Sequence, residues 1–518
     1  MTSGWLVAAS VALLMVGNSY TARNQLDAQV EQRLENTVAV DQAWVDSITI
    51  GGARWVDHAA LLKDPESALS RAASARAWDT WVLQEQSQVR GFPQEESEWT
   101  ASSAAVLELA NAASVAGANP HLFLTWGRRL GDARNPTLYP DYLTMQDRLT
   151  EGYLAAAQTL TDAGHTVGVA PVGEAFRQVY LDDLAKGEDP EGDSANFSRL
   201  YSMDGSHPSI YGTLLASAVM EASLVGRVHA LPATKAVADD LTFAAYLDEV
   251  SRALVLDEPF GDFDYPWATR WDGRDVVEVV DVVARPALAF ASEATLTSLG
   301  VGGVVDGVAG DGVAWMLAGA QVSTERLSFG VGGDNALVLA GGSLSVGEWA
   351  LGDGKLLLRS GQLTVSQTND APHQLVLDWE AGVLQVSGGV RLDIAMEQPV
   401  DGTLRLDAGA QLGIETGSFL GRVEILSVDG EAADVLMASR LMLDDASVEV
   451  PEGYVWEVIT RGDEEVLRVR VGDPSEPSQG TPGGSAEAAS CGCTPTAPSG
   501  LVLWPLVTVL LGIRRRGR

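Results

Sequence analysis

Two short segments, far apart in the chain, carry side chains that could activate a serine nucleophile. The segment Gly17–Thr21 places Ser19 directly after an apolar run, and the segment Asp204–Pro208 supplies a carboxylate at Asp204 and an imidazole at His207. A serine hydroxyl attacks efficiently only when a neighbouring base takes its proton, and that base needs a carboxylate to hold its tautomer. These three residues are therefore candidates for nucleophile, general base and orienting acid.

Each segment by itself also has an ordinary structural interpretation. Serines at such turns are mostly helix caps, and an Asp-x-x-His-Pro sequence can be a simple turn. Two further polar segments, Gly51–Gly52 and Gln84–Ser87, also come at the ends of predicted strands. The joint order of the four segments is much rarer than any one of them, and it indicates a hydrolase site.

The first part of the chain alternates short apolar runs with stretches of helical periodicity. The predicted strands are Ala12–Val16, Ser47–Ile50, Thr80–Leu83, His121–Thr125 and Thr166–Ala170, and the longest predicted helices are Ala101–Ala116, Tyr142–Ala163, Ser209–Val228 and Ala236–Leu254. This alternation predicts a parallel sheet with helices on both faces. Open α/β sheets place their sites at the carboxyl ends of the strands, which is where Ser19 lies in this prediction.

These four segments resemble the signature blocks of the SGNH (GDSL-type) esterases, and the resemblance covers roughly residues 11–235. It implies a three-layer, flavodoxin-like α/β hydrolase domain that cleaves ester bonds. In that family pattern Ser19 attacks the acyl carbonyl, His207 takes and returns the proton, and Asp204 orients His207.

The same resemblance implies three hydrogen-bond donors for the negatively charged oxygen of the reaction intermediate. They are the N–H groups of Ser19 and Gly52 and the side-chain amide of Gln86. Many members of the family have Asn, within a Gly-x-Asn sequence, where this chain has Gln86. A Gln amide could donate the same bond from one methylene further out.

Composition limits the classes of partner and cofactor. The chain has 518 residues, enough for two or three domains, and its 34 Lys and Arg against 70 Asp and Glu give a formal charge of −36. Such acidity excludes a nucleic-acid surface, which needs clustered cations. Both cysteines lie near the C-terminus and the six histidines lack the paired spacing of a zinc site, so we expect no metal and no cofactor. The 14 tryptophans either pack in the core, which we favour, or line a sugar-binding cleft.

A glycine-rich repeat begins at about residue 283. Pentapeptides of the form Gly-x-Leu/Val-x-Val/Leu/Ile recur about every twenty residues, starting at Gly342, Gly361, Gly382, Gly402 and Gly421. A second column of apolar triplets accompanies them. Two short strands per turn predict a β-solenoid, and an evenly spaced β-sandwich is the alternative. The region shows no catalytic residues, so we expect a spacer, display or glycan-contact role.

The C-terminal end has the composition of an anchor. Residues 473–490 form a predicted flexible linker, followed by Cys491 and Cys493, the apolar run Leu501–Ile513 and a terminal arginine cluster. This pattern predicts a membrane anchor with its arginines in the cytoplasm. The tail also resembles the Cys-containing sorting tails of the myxobacterial type. That resemblance implies export, processing by a sorting protease near the cysteines and retention at the cell envelope.

An exported chain should begin with a signal peptide, but Met1–Val16 has no basic region and overlaps the first predicted strand. Either the start of the sequence is truncated, which we expect, or export is unusual. The predicted parts of the chain are a hydrolase domain at 1–235, a helical extension and connector at 236–282, the β-repeat domain at 283–472, the linker at 473–490 and the transmembrane sorting tail at 491–518.

The leading hypothesis is a cell-surface ester hydrolase that acts on a small ester or an acylated polysaccharide, removing O-acyl groups such as acetyl. The alternative is a non-enzymatic adhesion or display protein with a degenerate hydrolase fold. Trp126, Arg128 and Arg129 follow the fourth predicted strand, where they could contact the substrate or form strand-end salt bridges.

Overall fold

The computed structural model describes most of the chain up to residue 471. The described residues are 9–36, 40–230, 240–281, 284–305, 308–330, 335–350 and 354–365, followed by separate strands between 375 and 471. The predicted linker at 473–490 and the predicted sorting tail at 491–518, with its two cysteines, lie outside them. Among the described residues, no helix combines the length and the apolar character needed to cross a membrane.

Five parallel strands form the N-terminal sheet in the order β2-β1-β3-β4-β5. Their bounds are β1 Ala9–Gly17, β2 Val40–Thr49, β3 Thr80–Leu83, β4 Asn119–Phe123 and β5 Gly168–Ala170. The strand order reverses between β1 and β3, and sheets of this kind bind ligands beyond the carboxyl ends of the strands at the reversal. Ser19 follows β1 and Gln84–Ser87 follow β3, so the topology brings both segments to one crevice.

Helices cover both faces of this sheet. Their bounds are α1 Ser19–Ala22, α2 Leu26–Glu35, α3 Trp55–Leu61, α4 Ala68–Ala75, α5 Ser97–Val115, α6 Tyr142–Asp162, α7 Val172–Ala185, α8 Asn196–Arg199 and α9 Ile210–Val225, with 3₁₀ turns at Arg23–Gln25 and Val89–Gly91. Successive strand side chains point to opposite faces. Leu13 and Met15 therefore pack with α2, α7 and α9, whereas Leu14 and Val16 pack with α3, α5 and α6. The predicted parallel sheet between two helical layers is confirmed.

The strand and helix bounds differ from the prediction at identifiable places. The predicted strand Thr80–Leu83 is β3 itself, whereas β2 begins seven positions before the predicted Ser47, at Val40. This strand lies at the edge of the sheet, and acidic and amide residues interrupt its apolar residues, so it shows no continuous apolar run. Helix α9 ends at Val225, short of the predicted end, because Gly226 adopts a left-handed φ of 68°.

The chain that follows the sheet packs back onto α9. The helix predicted at Ala236–Leu254 is observed at Leu241–Val255, and its predicted first residues lie outside the described ranges. Further on, the indole Nε1 of Trp267 donates a hydrogen bond to the carbonyl of Ala222 on α9 at 3.0 Å. The connector is therefore part of the hydrophobic core on the side of the sheet that α9 covers.

The remaining described chain is mostly strand. The strand bounds are β6 Ala268–Arg270, β7 Val276–Val279, β8 Ala287–Phe290, β9 Glu293–Val301, β10 Gly303–Val305, β11 Val308–Gly310, β12 Gly312–Leu317, β13 Gln321–Phe329, β14 Asn335–Ala350, β15 Gly354–Val365, β16 Leu375–Trp379, β17 Val383–Val386, β18 Arg391–Met396, β19 Asp401–Leu406, β20 Gln411–Glu415, β21 Arg422–Ser427, β22 Leu441–Leu443, β23 Ala446–Ser447, β24 Tyr454–Arg461 and β25 Glu464–Val471.

Strands of successive repeats pair in parallel. Leu344 in β14 is opposite Leu363 in β15, which is in turn opposite Leu384 in β17, and Leu384 is opposite Leu404 in β19. These are the leucines of the repeated pentapeptides. Strand pairing therefore follows the spacing of the sequence repeat, and Leu344 and Leu363 are fully buried.

Tryptophans of the first part of the chain belong to the core. Trp55, Trp78, Trp81 and Trp126 are each no more than 2% exposed. These four side chains cannot line a sugar-binding cleft. Core packing, which the sequence analysis favoured for the tryptophans, is their role.

Substitution of Gly17 by Ala tests how tightly the end of β1 is packed. A Cβ at this position would lie 2.4 Å from Thr21 Oγ1 and 2.6 Å from Gln84 Oε1. Because both neighbours are buried, we expect Gly17→Ala to lower the free energy of unfolding by about 1–3 kcal/mol, as overpacking does. Urea denaturation of both proteins measures this change. Gly51→Ala is the control, since a Cβ there meets no atom within 4 Å, and an equal loss in both variants would contradict the prediction.

Candidate active site

Ser19 is the first residue of α1, directly after the turn that ends β1, and the preceding residue holds this turn in place. Asn18 is 3% exposed and caps α1, since its Oδ1 accepts the N–H of Tyr20 at 3.1 Å. Its backbone N–H donates to Gln84 Oε1 at 2.8 Å, and its Nδ2 donates to the carbonyl of Ala53 at 3.0 Å. The turn is thus tied to the segments that follow β3 and β2, while Ser19 itself stays partly exposed.

The structure brings the three residues of the predicted triad together. His207 Nε2 lies 2.9 Å from Ser19 Oγ, and His207 Nδ1 lies 2.6 Å from Asp204 Oδ2. With the proton on Nδ1 donated to the carboxylate, the lone pair of Nε2 faces the serine hydroxyl. This arrangement can accept the serine proton.

The loop around Asp204 keeps its carboxylate ionised. Asp204 Oδ1 accepts the N–H groups of Ser206 and His207 at 3.0 and 2.9 Å, and Oδ2 faces the imidazole. Partial burial acts to raise the pKa of Asp204, but these hydrogen bonds outweigh it and lower the pKa to about 2. An ionised carboxylate here favours the imidazolium that forms when His207 takes a proton.

An aromatic stack supports the histidine loop. The ring of Tyr20 lies parallel to Trp126 at 4.6 Å, and Trp126 stacks on Phe176 at 4.5 Å. The Tyr20 hydroxyl shares a 2.8 Å hydrogen bond with Ser206 Oγ, and Trp126 Nε1 donates to the Ser206 carbonyl at 3.0 Å. Burial raises the pKa of Tyr20, so its hydroxyl stays protonated. Because Tyr20 directly follows the serine, the stack links the nucleophile turn to the loop of His207.

Gly52 lies in a tight turn after β2. The N–H of Ala53 donates to the carbonyl of Ile50 at 3.0 Å, and Gly52 has a φ of 70°. A turn of this form needs a left-handed third residue, which glycine adopts without steric cost. The N–H of Ile50 also donates to the carbonyl of Gly17 at 3.2 Å. The turn that carries the N–H of Gly52 therefore lies beside the end of β1.

Gln86 lies on the loop after β3 and is partly exposed. Its Oε1 accepts the N–H of Gln88 at 2.8 Å, and its own N–H donates to Glu85 Oε1 at 2.7 Å. The amide oxygen of Gln86 thus accepts a hydrogen bond within the loop. Its amide NH₂ can donate a hydrogen bond to a group outside the loop.

The three residues after the fourth strand form internal contacts. Trp126 is 1% exposed inside the aromatic stack, so it is a support of the histidine loop and not a substrate contact. Arg128 pairs with Asp132 at 2.6 Å, and Arg129 pairs with Asp193 at 3.8 Å. For the arginines, the salt-bridging alternative matches these contacts. Over the ranges that the structure describes, no three His, Cys, Asp or Glu side chains converge to hold a metal ion.

Sequence reasoning assigned no role to several residues that shape the site. Gln84 and Glu85 are fully buried although both are polar, and His58 Nε2 donates to the carbonyl of Gly17 at 2.8 Å. Burial lowers the pKa of His58, which keeps the ring neutral. A run of five polar residues directly after the apolar end of β3 was the available signal for Gln84 and Glu85. No comparable signal marks His58.

No family model and no curated protein matches the chain. The N-terminal part is similar to a candidate SGNH hydrolase from Slackia heliotrinireducens, with 29% identity over 41% of this chain and 97% of that chain and a TM-score of 0.31. It is also similar to an acetylxylan esterase from Geobacillus stearothermophilus, with 13% identity over 42% and 94% of the two chains and a TM-score of 0.28. At such TM-scores the likeness assigns no function, which must be inferred from the site itself.

Acidification tests the electrostatic role of Asp204. Its folded-state pKa of about 2 lies below the value of about 3.9 for an unfolded aspartate. Ionisation of Asp204 therefore stabilises the folded protein above about pH 4, and this contribution is lost as the pH falls toward about 2. We expect the stability advantage of the wild type over Asp204→Asn, measured by urea denaturation, to be smaller at pH 3 than at pH 7. An advantage independent of pH would contradict the assignment.

Proposed function

We propose that this chain is a serine ester hydrolase in which Ser19, His207 and Asp204 form the catalytic triad. The observation that carries the proposal is the continuous hydrogen-bonded path from Ser19 Oγ through the imidazole to the carboxylate, with distances of 2.9 and 2.6 Å. Ser19 and His207 lie on opposite sides of a long stretch of chain, so this contact is specific to the folded protein. A degenerate hydrolase fold used only for adhesion has no need of such a path.

The reaction proceeds through an acyl-enzyme. His207 Nε2 takes the proton of Ser19 as Oγ bonds to the acyl carbon, and the carbonyl oxygen becomes an oxyanion. The N–H groups of Ser19 and Gly52 and the Nε2 of Gln86 donate to that oxyanion, which lowers the barrier because they act most strongly on the transition state. The ester C–O bond then breaks, and the imidazolium gives its proton to the leaving alcohol. Water, deprotonated by His207, releases the acid and restores Ser19.

The proposed substrate is a short O-acyl group, such as acetyl, on a carbohydrate. The resemblance of the four sequence segments to the SGNH esterases supports an acyl ester. Exposure of the site supports a bulky alcohol, since the side chains of His207 and Asp204 are 30% and 50% exposed. An ester group on a large polymer can reach such an open site.

The β-repeat region is proposed to be solenoid-like. The parallel pairing of its successive repeats supports this, because a sandwich is built mainly from antiparallel strands.

The composition of residues 473–518 supports export of the protein and retention at the cell envelope through the tail. A surface location would give the hydrolase access to acylated polysaccharide.

Loss of the nucleophile or the base should abolish turnover. We expect Ser19→Ala and His207→Ala each to lower kcat for p-nitrophenyl acetate by about 10⁴-fold or more, because the two groups act as one unit. A fluorophosphonate should label the wild type at Ser19 and leave Ser19→Ala unlabelled. Ser97→Ala is the control, since this serine is exposed at the start of α5. Labelling at another serine would refute the assignment.

Gln86 offers a matched pair of variants. Gln86→Glu keeps an oxygen for the N–H of Gln88 but replaces the donating NH₂ by a negative charge. We expect it to fold like the wild type and to lose about 10²–10³ in kcat with little change in KM, as for a lost oxyanion donor. Gln86→Asn should retain part of the activity. If Gln86 only stabilises its loop, Gln86→Glu will instead keep the wild-type kcat, so kcat and melting temperature are measured on one preparation.

A further inference from the structure

Glu85 is a buried carboxylate between the two segments that carry the candidate oxyanion donors. Its side chain is 0% exposed, two residues after the end of β3 and directly before Gln86. A buried carboxylate is costly unless hydrogen bonds satisfy its oxygens. The proposed reaction steps do not use this group, so its retention in the core calls for a separate account.

Three donors from three elements converge on this carboxylate. Glu85 Oε1 accepts the N–H of Trp55, the first residue of α3, at 2.9 Å and the N–H of Gln86 at 2.7 Å. Oε2 accepts the hydroxyl of Ser102 on α5 at 2.5 Å. One oxygen thus joins the chain just beyond the turn of Gly52 to Gln86, whose side-chain amide is the proposed oxyanion donor.

The groups around Glu85 favour a hydrogen-bond acceptor at this position. Burial raises the pKa of Glu85, while the hydrogen bonds from Ser102, Gln86 and Trp55 and the attraction of Arg90 act to lower it. Arg90 is itself 1% exposed, with its guanidinium 3.8 Å from the ring centroid of Trp99. The three groups that bond to the carboxylate, the N–H of Trp55, the N–H of Gln86 and the hydroxyl of Ser102, all act as donors.

We propose that Glu85 is a positioning residue that sets the separation between the N–H of Gly52 and the side chain of Gln86. The inference rests on the proposed ester hydrolysis. Two donors can stabilise one oxyanion only if their distance suits a single oxygen atom, and the bonds of Glu85 to Trp55 and Gln86 fix the two chain segments relative to each other. Glu85 touches no substrate and acts through these neighbours.

The substitutions differ in which bonds they preserve. Glu85→Gln keeps one side-chain oxygen for the N–H groups of Trp55 and Gln86, and its NH₂ can donate to Ser102 Oγ. Glu85→Ala removes the acceptor altogether. Ser223→Ala is the control for the loss of a buried hydrogen bond. Ser223 lies on α9, is 0% exposed, and its Oγ bonds to His121 Nε2 at 3.0 Å.

The test uses the full chain and three readouts: kcat and KM for p-nitrophenyl acetate, the inhibition constant of a boronic acid that forms a tetrahedral adduct with the serine, and the melting temperature. We expect Glu85→Ala to lower kcat by about 10- to 100-fold, the cost of misplaced catalytic groups, with KM nearly unchanged. Boronic acid binding should weaken by a similar factor. Glu85→Gln should recover most of kcat, and Ser223→Ala should lose stability but keep kcat.

A double-mutant cycle with Gln86→Ala identifies the path of the effect. If Glu85 acts through the oxyanion donors, removing it costs less when Gln86 is already Ala. Wild-type kcat in folded Glu85→Ala, or fully additive losses in the double variant, would overturn the inference while leaving the proposed function standing. Absence of both ester turnover and Ser19 labelling in the wild type would overturn the two together.

Discussion

The close approach of Gln84 to the end of β1 is the contact on which the candidate site depends. A Cβ on Gly17 would lie 2.6 Å from Gln84 Oε1, so any other residue before the turn would have to displace this buried amide. This oxygen accepts the N–H of Asn18 at 2.8 Å and the hydroxyl of Thr21 at 3.0 Å. Because Gln84 belongs to the segment after β3, one buried amide ties the nucleophile turn to the loop that carries the proposed oxyanion donor.

Two different kinds of interaction therefore hold the two halves of the site. Directional hydrogen bonds around Gln84 and Glu85 hold the segments of the proposed oxyanion donors, and such bonds lose their effect with small changes of geometry. Stacked rings next to Tyr20 support the loop of His207, and packing of this kind depends mainly on contact area. The proposed proton-transfer groups and the proposed oxyanion donors can accordingly be perturbed separately.

The connector contributes to the same fold. Nearly every residue of α9 is buried, because the sheet covers one side of this helix and the connector around Trp267 covers the other. An apolar character on all sides is what such a position requires. The buried charge of Arg33 beside α9 is paired, since its guanidinium lies 2.7 Å from the carboxylate of Asp248 and 3.5 Å from that of Glu221. Buried charges left without partners would destabilise this layer strongly.

Local sequence patterns determined much of the architecture. The strands of the sheet, the α/β class and the spacing of the β-repeat all follow from periodicity, because period-2 and period-3.6 patterns reflect which faces are buried. The positions of Ser19, Asp204 and His207 were also legible, since each lies in a short polar segment next to a predicted element. The length of strand β2 was underestimated because polar residues interrupt its apolar residues and leave no continuous apolar run.

Only the tertiary structure decided how these segments meet. That His207 Nε2 lies 2.9 Å from Ser19 Oγ, that Trp126 is a buried support, and that Glu85 bonds to both Trp55 and Gln86 depend on contacts between residues distant in sequence. A hydrogen bond forms or fails over a few tenths of an ångström, whereas residue type and spacing specify only which side chains are present. The sequence alone determined the chemistry available to this protein, and the packing of helices on the sheet decided its geometry.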